Sequence, residues 1–500
     1  MAHSWTADEI KRIGYRVVDL IADHLTTLPD EPVFRPVPRE LAQAFLSSSP
    51  PQEPVSPDQI LDAFQQTIEP YPFGNGHPRF WGWVNSPPAV MGVFADALAA
   101  AMNPSCAGGN HAAIHLERQV TGWFRDMLGF PAGSMGLLVS GGSMATMTAL
   151  AVARHVKSGV DVRLNGLRDA PAPFAFYLST EGHSCARKAI ELLGFGSASV
   201  RTIATDADYK MRVDALEAAV AADLDRGVRP IAVIATGGST NTGAIDDLSA
   251  IAGVCRRHDV WMHVDAAYGG PAILSTQYAG ELRAVAQADS VALDPHKWLF
   301  VPVEAGLVVV RDAEAMRSAF SLVPPYIRQS GSAGDVYGLP WFSEYGFQQT
   351  RGFRALKVWM TLQQFGLTGY RAAIEENLAL AGYLADRVRA APDLELAAPP
   401  SLSVVCFRYV GDQARSSGES GSLQARDEET IAALNRALLE KLQLGGEAFL
   451  TSTALRGRFT LRACIVNYRS RPEDVDRMLA AVREIGKDLL NLRSSNLTNP

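Results

Sequence analysis

One lysine, Lys297, stands in the stretch VALDPHKWLF (residues 291–300), between a histidine and an apolar patch. A lysine that only solvates a surface keeps polar neighbours. A lysine that attacks a carbonyl gains from partial burial, which is expected to lower its pKa and free its lone pair. Four more polar clusters share one feature with DPHK: each follows a short apolar run. SGGS (140–143) follows GLLV, and STEGHS with His183 follows FAFYL. TGGSTNTG with Thr240 follows PIAVIA, and Asp265 follows VWMHV.

Taken singly, each cluster has an ordinary reading. SGGS is a turn that caps a helix, His183 a structural histidine, Asp265 a turn residue and Lys297 a salt-bridge lysine. Taken together they match the needs of pyridoxal 5'-phosphate. That cofactor requires a phosphate cradle, a carboxylate at its pyridine nitrogen, a flat group over its ring and a lysine for covalent attachment. Gly142 with Ser143, then Asp265, His183 and Lys297, supply those four parts in turn. Other chemistries are weaker. His111 and His115 are spaced like helical metal ligands but lack a third ligand and the HExxH pattern, so no metal is expected. SGGSMA is neither a Walker loop nor the GxSxG elbow of a hydrolase.

These clusters need elements to hold them. The runs GLLV (136–139), FAFYL (174–178), PIAVIA (230–235), VWMHV (260–264), SVAL (290–293) and GLVVV (306–310) read as strands, separated by helical segments such as MATMTALAVARHV. That alternation predicts an α/β domain with a largely parallel sheet, whose ligand site lies beyond the carboxyl ends of the strands. Three zones are expected: an N-terminal helical segment (1–85) with a Pro/Ser linker (LSSSPPQEPVSP), a large cofactor domain (86–375) and a small α+β C-terminal domain (376–500). Residues 411–429 read as a mobile excursion. The Gly/Ser-rich stretch RQSGSAGDVYGLPWF (328–342) reads as a lid.

The bulk numbers narrow the class. The chain has 500 residues, 47% apolar and 20% charged, with a formal net charge of −7. An acidic balance argues against nucleic-acid binding. The five cysteines are scattered without a CxxC pair, which favours a reducing, cytoplasmic setting. The apolar run AVMGVFADALAAAM is too short to span a membrane and is broken by Asp96.

At these motifs the chain resembles the group II pyridoxal-phosphate-dependent decarboxylases, the family of aromatic-L-amino-acid decarboxylase. DPHKWL, HVDAAYGG, SGGSMATMTALAVAR, GHSCARKA and RGFRALKVW carry the resemblance, and GYRVVDLIADHL and HPRFWGWV extend it across nearly the whole chain. The resemblance implies fold-type I, an L-amino acid (aromatic) decarboxylated to its amine, and a homodimer with interface sites. It implies that Lys297 carries the cofactor and that Gly142, Ser143, Thr240, Asp294 and His296 hold it. Asp265 then pairs with the ring nitrogen, Ala267 packs beneath the ring and His183 stacks on it. Tyr337 in the lid returns a proton to the substrate carbon. Because Tyr337 and His183 are both kept, simple decarboxylation is favoured over an oxygen-consuming aldehyde synthase. Phe80, Trp83 and Ser86 are the implied substrate contacts, although Phe80, Trp81 and Trp83 read equally well as core. Asn75, Val84 and Asn85 depart from the aromatic-specific pattern, which leaves acidic and diamino acids as alternative substrates.

Overall fold

The structure is a computed structural model that describes residues 5–74, 76–168, 170–322, 341–411 and 427–498. The expected lid residue Tyr337, the substrate-wall position Asn75 and most of the 411–429 excursion lie outside the described residues. The apolar runs form strands because their residues are buried on both faces, as in sheets covered by helices. They build a seven-stranded sheet of β1 (Met135–Val139), β2 (Phe174–Ser179), β3 (Val200–Ile203), β4 (Arg229–Thr236), β5 (Trp261–Asp265), β6 (Ser290–Leu293) and β7 (Gly306–Val310), in the order β1-β7-β6-β5-β4-β2-β3.

The pairings β2–β3, β2–β4, β4–β5 and β5–β6 are parallel, while β7 runs antiparallel to both β1 and β6. Strands β1 and β6 therefore point the same way. The carboxyl ends of β1, β2, β4, β5 and β6 all emerge along one edge of the sheet. This is the mostly parallel α/β sheet expected of fold-type I, with β7 as the strand that reverses it.

The contacts divide the chain into two units where three zones were expected. One is Val84–Gly382 with Ala398–Val405, which contains the large sheet. The other joins the residues up to Trp83 with Tyr383–Ala397 and everything from Cys406 onward. The N-terminal segment is not independent because its end behaves as part of the small sheet, formed by β8 (Leu394–Leu396), β9 (Val404–Tyr409), β10 (Thr451–Leu455) and β11 (Arg458–Cys464). Trp81 N–H donates to Phe449 O at 2.8 Å, and Cys464 N–H donates to Trp81 O at 3.0 Å.

The N-terminal helices form where the sequence supplies caps. Thr6 with Glu9, and Ser56 with Gln59, make reciprocal capping boxes for the helices Ala7–Thr27 and Pro57–Thr67. No helix among the described residues is long and apolar enough to cross a membrane.

Candidate active site

The large unit carries a cleft of about 350 Å³ at the strand-end edge. Gly142, Ser143, His183, Thr240, Asp265, Ala267, Asp294, His296 and Lys297 all line it. Five separate stretches of sequence thus converge, as the parallel strand directions require.

Each stretch is held by its own device. After β1 the chain enters the helix Gly142–Lys157, whose first residues Gly142, Ser143 and Met144 line the cleft. A Cβ at Gly142 would meet Asp294 Oδ2 at 2.9 Å and Ala267 Cβ at 3.1 Å, so only glycine lets this helix start come so close. His183 caps the helix Ser184–Leu192, with Nδ1 accepting from Cys185 N–H at 3.3 Å. Asp265 ends β5 in register with Thr236, and its Oδ1 accepts from Ala267 N–H at 3.1 Å. The ordinary readings of these residues, cap and turn, hold together with their place in the cleft.

Lys297 is paired with Asp294, Nζ to Oδ2, at 2.9 Å. Its pKa is not lowered. Burial pulls it down, but Asp294 and then Asp265 more than reverse this, and the net shift is upward. The expectation of a lysine freed by burial is corrected: without cofactor this amine is held as an ammonium. Asp294 is 2% exposed, and its Oδ1 has no hydrogen-bond partner among the described residues. Leaving such an atom unpaired is costly, which marks this wall as built to meet a ligand donor. His296 lies beside it, Nε2 to Asp294 Oδ2 at 3.8 Å, with Nδ1 2.7 Å from Ala305 O. Burial lowers the His296 pKa. The apolar residues after the lysine also have a role: Trp298 stacks on Tyr268 at 5.3 Å and donates to Asn377 Oδ1 at 2.9 Å, fixing the lysine's backbone.

Beneath Asp265 runs a hydrogen-bond chain that the sequence did not reveal. The indole of Trp261 can only donate, and it donates to Ser290 Oγ at 2.8 Å. The same hydroxyl lies 2.9 Å from His263 Nδ1, and His263 Nε2 lies 3.3 Å from Thr146 Oγ1. His263 is fully buried, and burial pushes its pKa down to about 4, so it stays neutral.

Three other features escaped the sequence reading. Glu181 lines the cleft with Oε2 unpartnered among the described residues, and burial raises its pKa. Cys185 lines it too, its thiol pushed up to about 12 by burial and then by Asp265. Arg351 and Glu117 form a buried ion pair against β1, and Arg351 Nη2 also donates to Leu138 O. Glu181 lies in STEGHS, Cys185 in GHSCARKA and Arg351 in RGFRALKVW, but those stretches alone gave the three side chains no task. Glu181 and Cys185 could have been found only as neighbours of His183 in sequence.

Of the implied substrate contacts, Ser86 sits by the site, its Oγ donating to His296 O at 3.3 Å. Phe80 has no exposed surface and stacks on Phe449 at 4.8 Å, which is core packing and corrects the contact expectation. Trp81 is likewise buried and donates to Ser470 Oγ at 3.0 Å. Trp83 is 46% exposed and stacks on Phe73 at 5.0 Å. His111 caps a helix and His115 contacts Asn110 Oδ1 at 2.8 Å, so neither pairs as the metal motif would.

Comparison with known proteins identifies the family. Residues 38–410 match the model of the pyridoxal-dependent decarboxylase conserved domain. The chain is 33% identical over 486 residues to aromatic-L-amino-acid decarboxylase of Bacillus atrophaeus, covering 97% of each chain. It is 34% identical over 416 residues to L-2,4-diaminobutyrate decarboxylase of Rhizobium meliloti (strain 1021), covering 83% of this chain and 79% of that one. Its fold is similar to the crystal structure of Oryza sativa TDC with PLP and tryptamine, with TM-score 0.88, 27% identity, and coverage of 98% of this chain and 100% of that chain.

Proposed function

Because the chain belongs to the pyridoxal-dependent decarboxylases, using pyridoxal 5'-phosphate to decarboxylate an amino acid, we propose that its substrate is an aromatic L-amino acid. The observation that carries this choice is the near full-length likeness to a relative named for aromatic L-amino acids. The charge of the cleft argues separately against an acidic substrate side chain. Its lining holds the carboxyl groups of Glu181, Asp265, Asp294 and Glu304 against one lysine, with Glu304 partly answered by Arg354 at 2.6 Å. An acidic substrate side chain would meet further negative charge there, whereas a neutral ring would not.

The roles follow from the placement of the side chains. Gly142, Ser143 and the amides opening their helix would hold the phosphate, with Thr240, Asp294 and His296 closing around the cofactor. Lys297 would anchor it, Asp265 would face the ring nitrogen, and Ala267 and His183 would lie on its two faces. When bound, the cofactor supplies an electron-withdrawing ring that accepts the electron pair left by the departing carboxylate. Asp265 would favour a protonated ring nitrogen, and neutral His263 behind it would add no competing charge. His183 and, by resemblance, Tyr337 would return the proton to the substrate carbon.

We place the protein in the cytoplasm and assemble it as a homodimer with sites at the interface. Exposed Trp5, Ile10, Tyr15, Ile60 and Phe64, on or beside the N-terminal helices, support a second copy there. The test is release of CO2 and amine from phenylalanine, tyrosine, tryptophan, glutamate and 2,4-diaminobutyrate, with ammonia and peroxide measured alongside. Amine from aromatic acids without peroxide is expected, with turnover abolished in Lys297→Ala. Preference for 2,4-diaminobutyrate or glutamate, or stoichiometric ammonia and peroxide, would refute the proposal.

A further inference from the structure

Three donor groups of different kinds meet on one wall of the cleft. His183, Cys185 and Asp265 each bring one ligand atom, and those atoms lie within 4.8 Å of one another. The first two come from the start of the helix Ser184–Leu192 and the third from the end of β5. All three line the cleft, so an ion arriving from solvent reaches them. Decarboxylation engages His183 and Asp265 but gives Cys185 no task.

We propose that, when the cofactor is absent, His183, Cys185 and Asp265 bind one soft divalent cation of the zinc class, and that this cation and the cofactor exclude each other. An imidazole nitrogen, a thiolate and a carboxylate are a zinc donor set, and the sulfur selects against magnesium and calcium. Metal–ligand lengths of about 2.0–2.3 Å bring donors of a tetrahedral site to roughly 3.3–3.8 Å from one another. The three groups must therefore close by about 1 Å. The exposed ring of His183 allows this, since the 3.3 Å bond from Cys185 N–H is a weak restraint on it. Coordination exchanges a proton for the metal: the S–H bond breaks, the sulfur–metal bond forms and the proton leaves to solvent. The fourth position opens into the cleft, where water completes the set. The exclusion rests on the functional reading above, in which His183 and Asp265 are already committed to the cofactor.

Cobalt(II) is the probe, titrated into full-length, cofactor-stripped protein. One ion per chain with a sulfur-to-cobalt charge-transfer band is expected. Cys185→Ser should abolish the band, and His183→Gln should weaken binding tenfold or more with the protein still folded by circular dichroism. Asp265→Asn leaves the thiol in place, and should keep the band but weaken binding. Pyridoxal phosphate should release the metal and erase the band. No band in the unmodified protein, or a band that survives Cys185→Ser, overturns the site. Cobalt and cofactor bound together overturn the exclusion. No substrate is added, so a failed substrate assignment leaves this result unaffected.

Discussion

Replacing Arg351 by methionine tests how the cofactor cradle is held. Arg351 Nη1 donates to Glu117 Oε2 and to Cys106 O, each at 3.0 Å, and Nη2 donates to Glu117 Oε1 and Leu138 O, each at 2.5 Å. Glu117 Oε1 in turn accepts from Leu138 N–H at 3.1 Å. Among the described residues β1 is an edge strand whose outer side has no strand neighbour; this ion pair satisfies the amide and carbonyl of Leu138. With both side chains at most 2% exposed, removing the cation leaves a buried carboxylate uncompensated. That costs about 3–5 kcal/mol, or two to nearly four powers of ten in the folded fraction. Removing both charges, as Glu117→Leu with Arg351→Met, leaves unpaired backbone groups but no bare charge, so the double variant should be no worse than either single one. The assay is the denaturant midpoint of cofactor-free protein together with cofactor affinity by absorbance titration. The affinity should fall too, because Ser140–Ser143 follow directly on this strand. A single-variant loss below about 1 kcal/mol, or a double loss equal to the sum of the singles, would refute the account.

Other outcomes follow from the same geometry. Asp294→Asn removes the counter-ion that raises the Lys297 pKa, so covalent attachment of cofactor, followed by its absorption band against pH, should shift to lower pH; an unchanged profile contradicts the role of Asp294. Ser290→Ala leaves the Trp261 N–H and His263 Nδ1 without their Ser290 partner in the core and should cost about 1–3 kcal/mol by denaturation, whereas a neutral effect would deny that Ser290 links them. His77 and His263 both have pKa values lowered to about 4 by burial. Their unfolded pKa is higher, near 6.5, so their contribution is present above that pH and is lost as pH falls towards 4, by about 3 kcal/mol each. Asp246, raised to about 6 by burial, works oppositely: its contribution is present at low pH and is lost as pH rises through about 6. Net acid loss between pH 7 and 5 should therefore be moderate and measurable as a falling denaturant midpoint.

The sheet and its cleft were largely legible because the strands are continuous apolar runs ending in polar clusters. Strand β3 was missed: VRTI is a short edge strand with only Ile203 buried, and carries no such pattern. The antiparallel sense of β7 was also hidden, since GLVVV reads alike in either direction. The cofactor residues could be read because each sits in a local motif. Thr146, Ser290 and His263 could not, because their bonds cross between elements far apart in sequence. The Lys297 pKa was misjudged for a related reason. Burial is visible in neighbouring apolar letters, but the balance of two carboxylates against that burial exists only in three dimensions. Cys185 became a ligand candidate only once β5 brought Asp265 beside it.

The position of β1 at the sheet edge also matters while the chain is being made. Its only sheet neighbour among the described residues is β7, and Met135 pairs with Val310. A ribosome adding roughly 5–20 residues per second needs about 10–35 seconds to cover that interval. Throughout it the apolar strand that leads into the phosphate cradle has emerged without its partner. The nascent protein is thus exposed to aggregation at the segment on which cofactor capture depends, and a chaperone that shields residues 135–139 would act before the cofactor can.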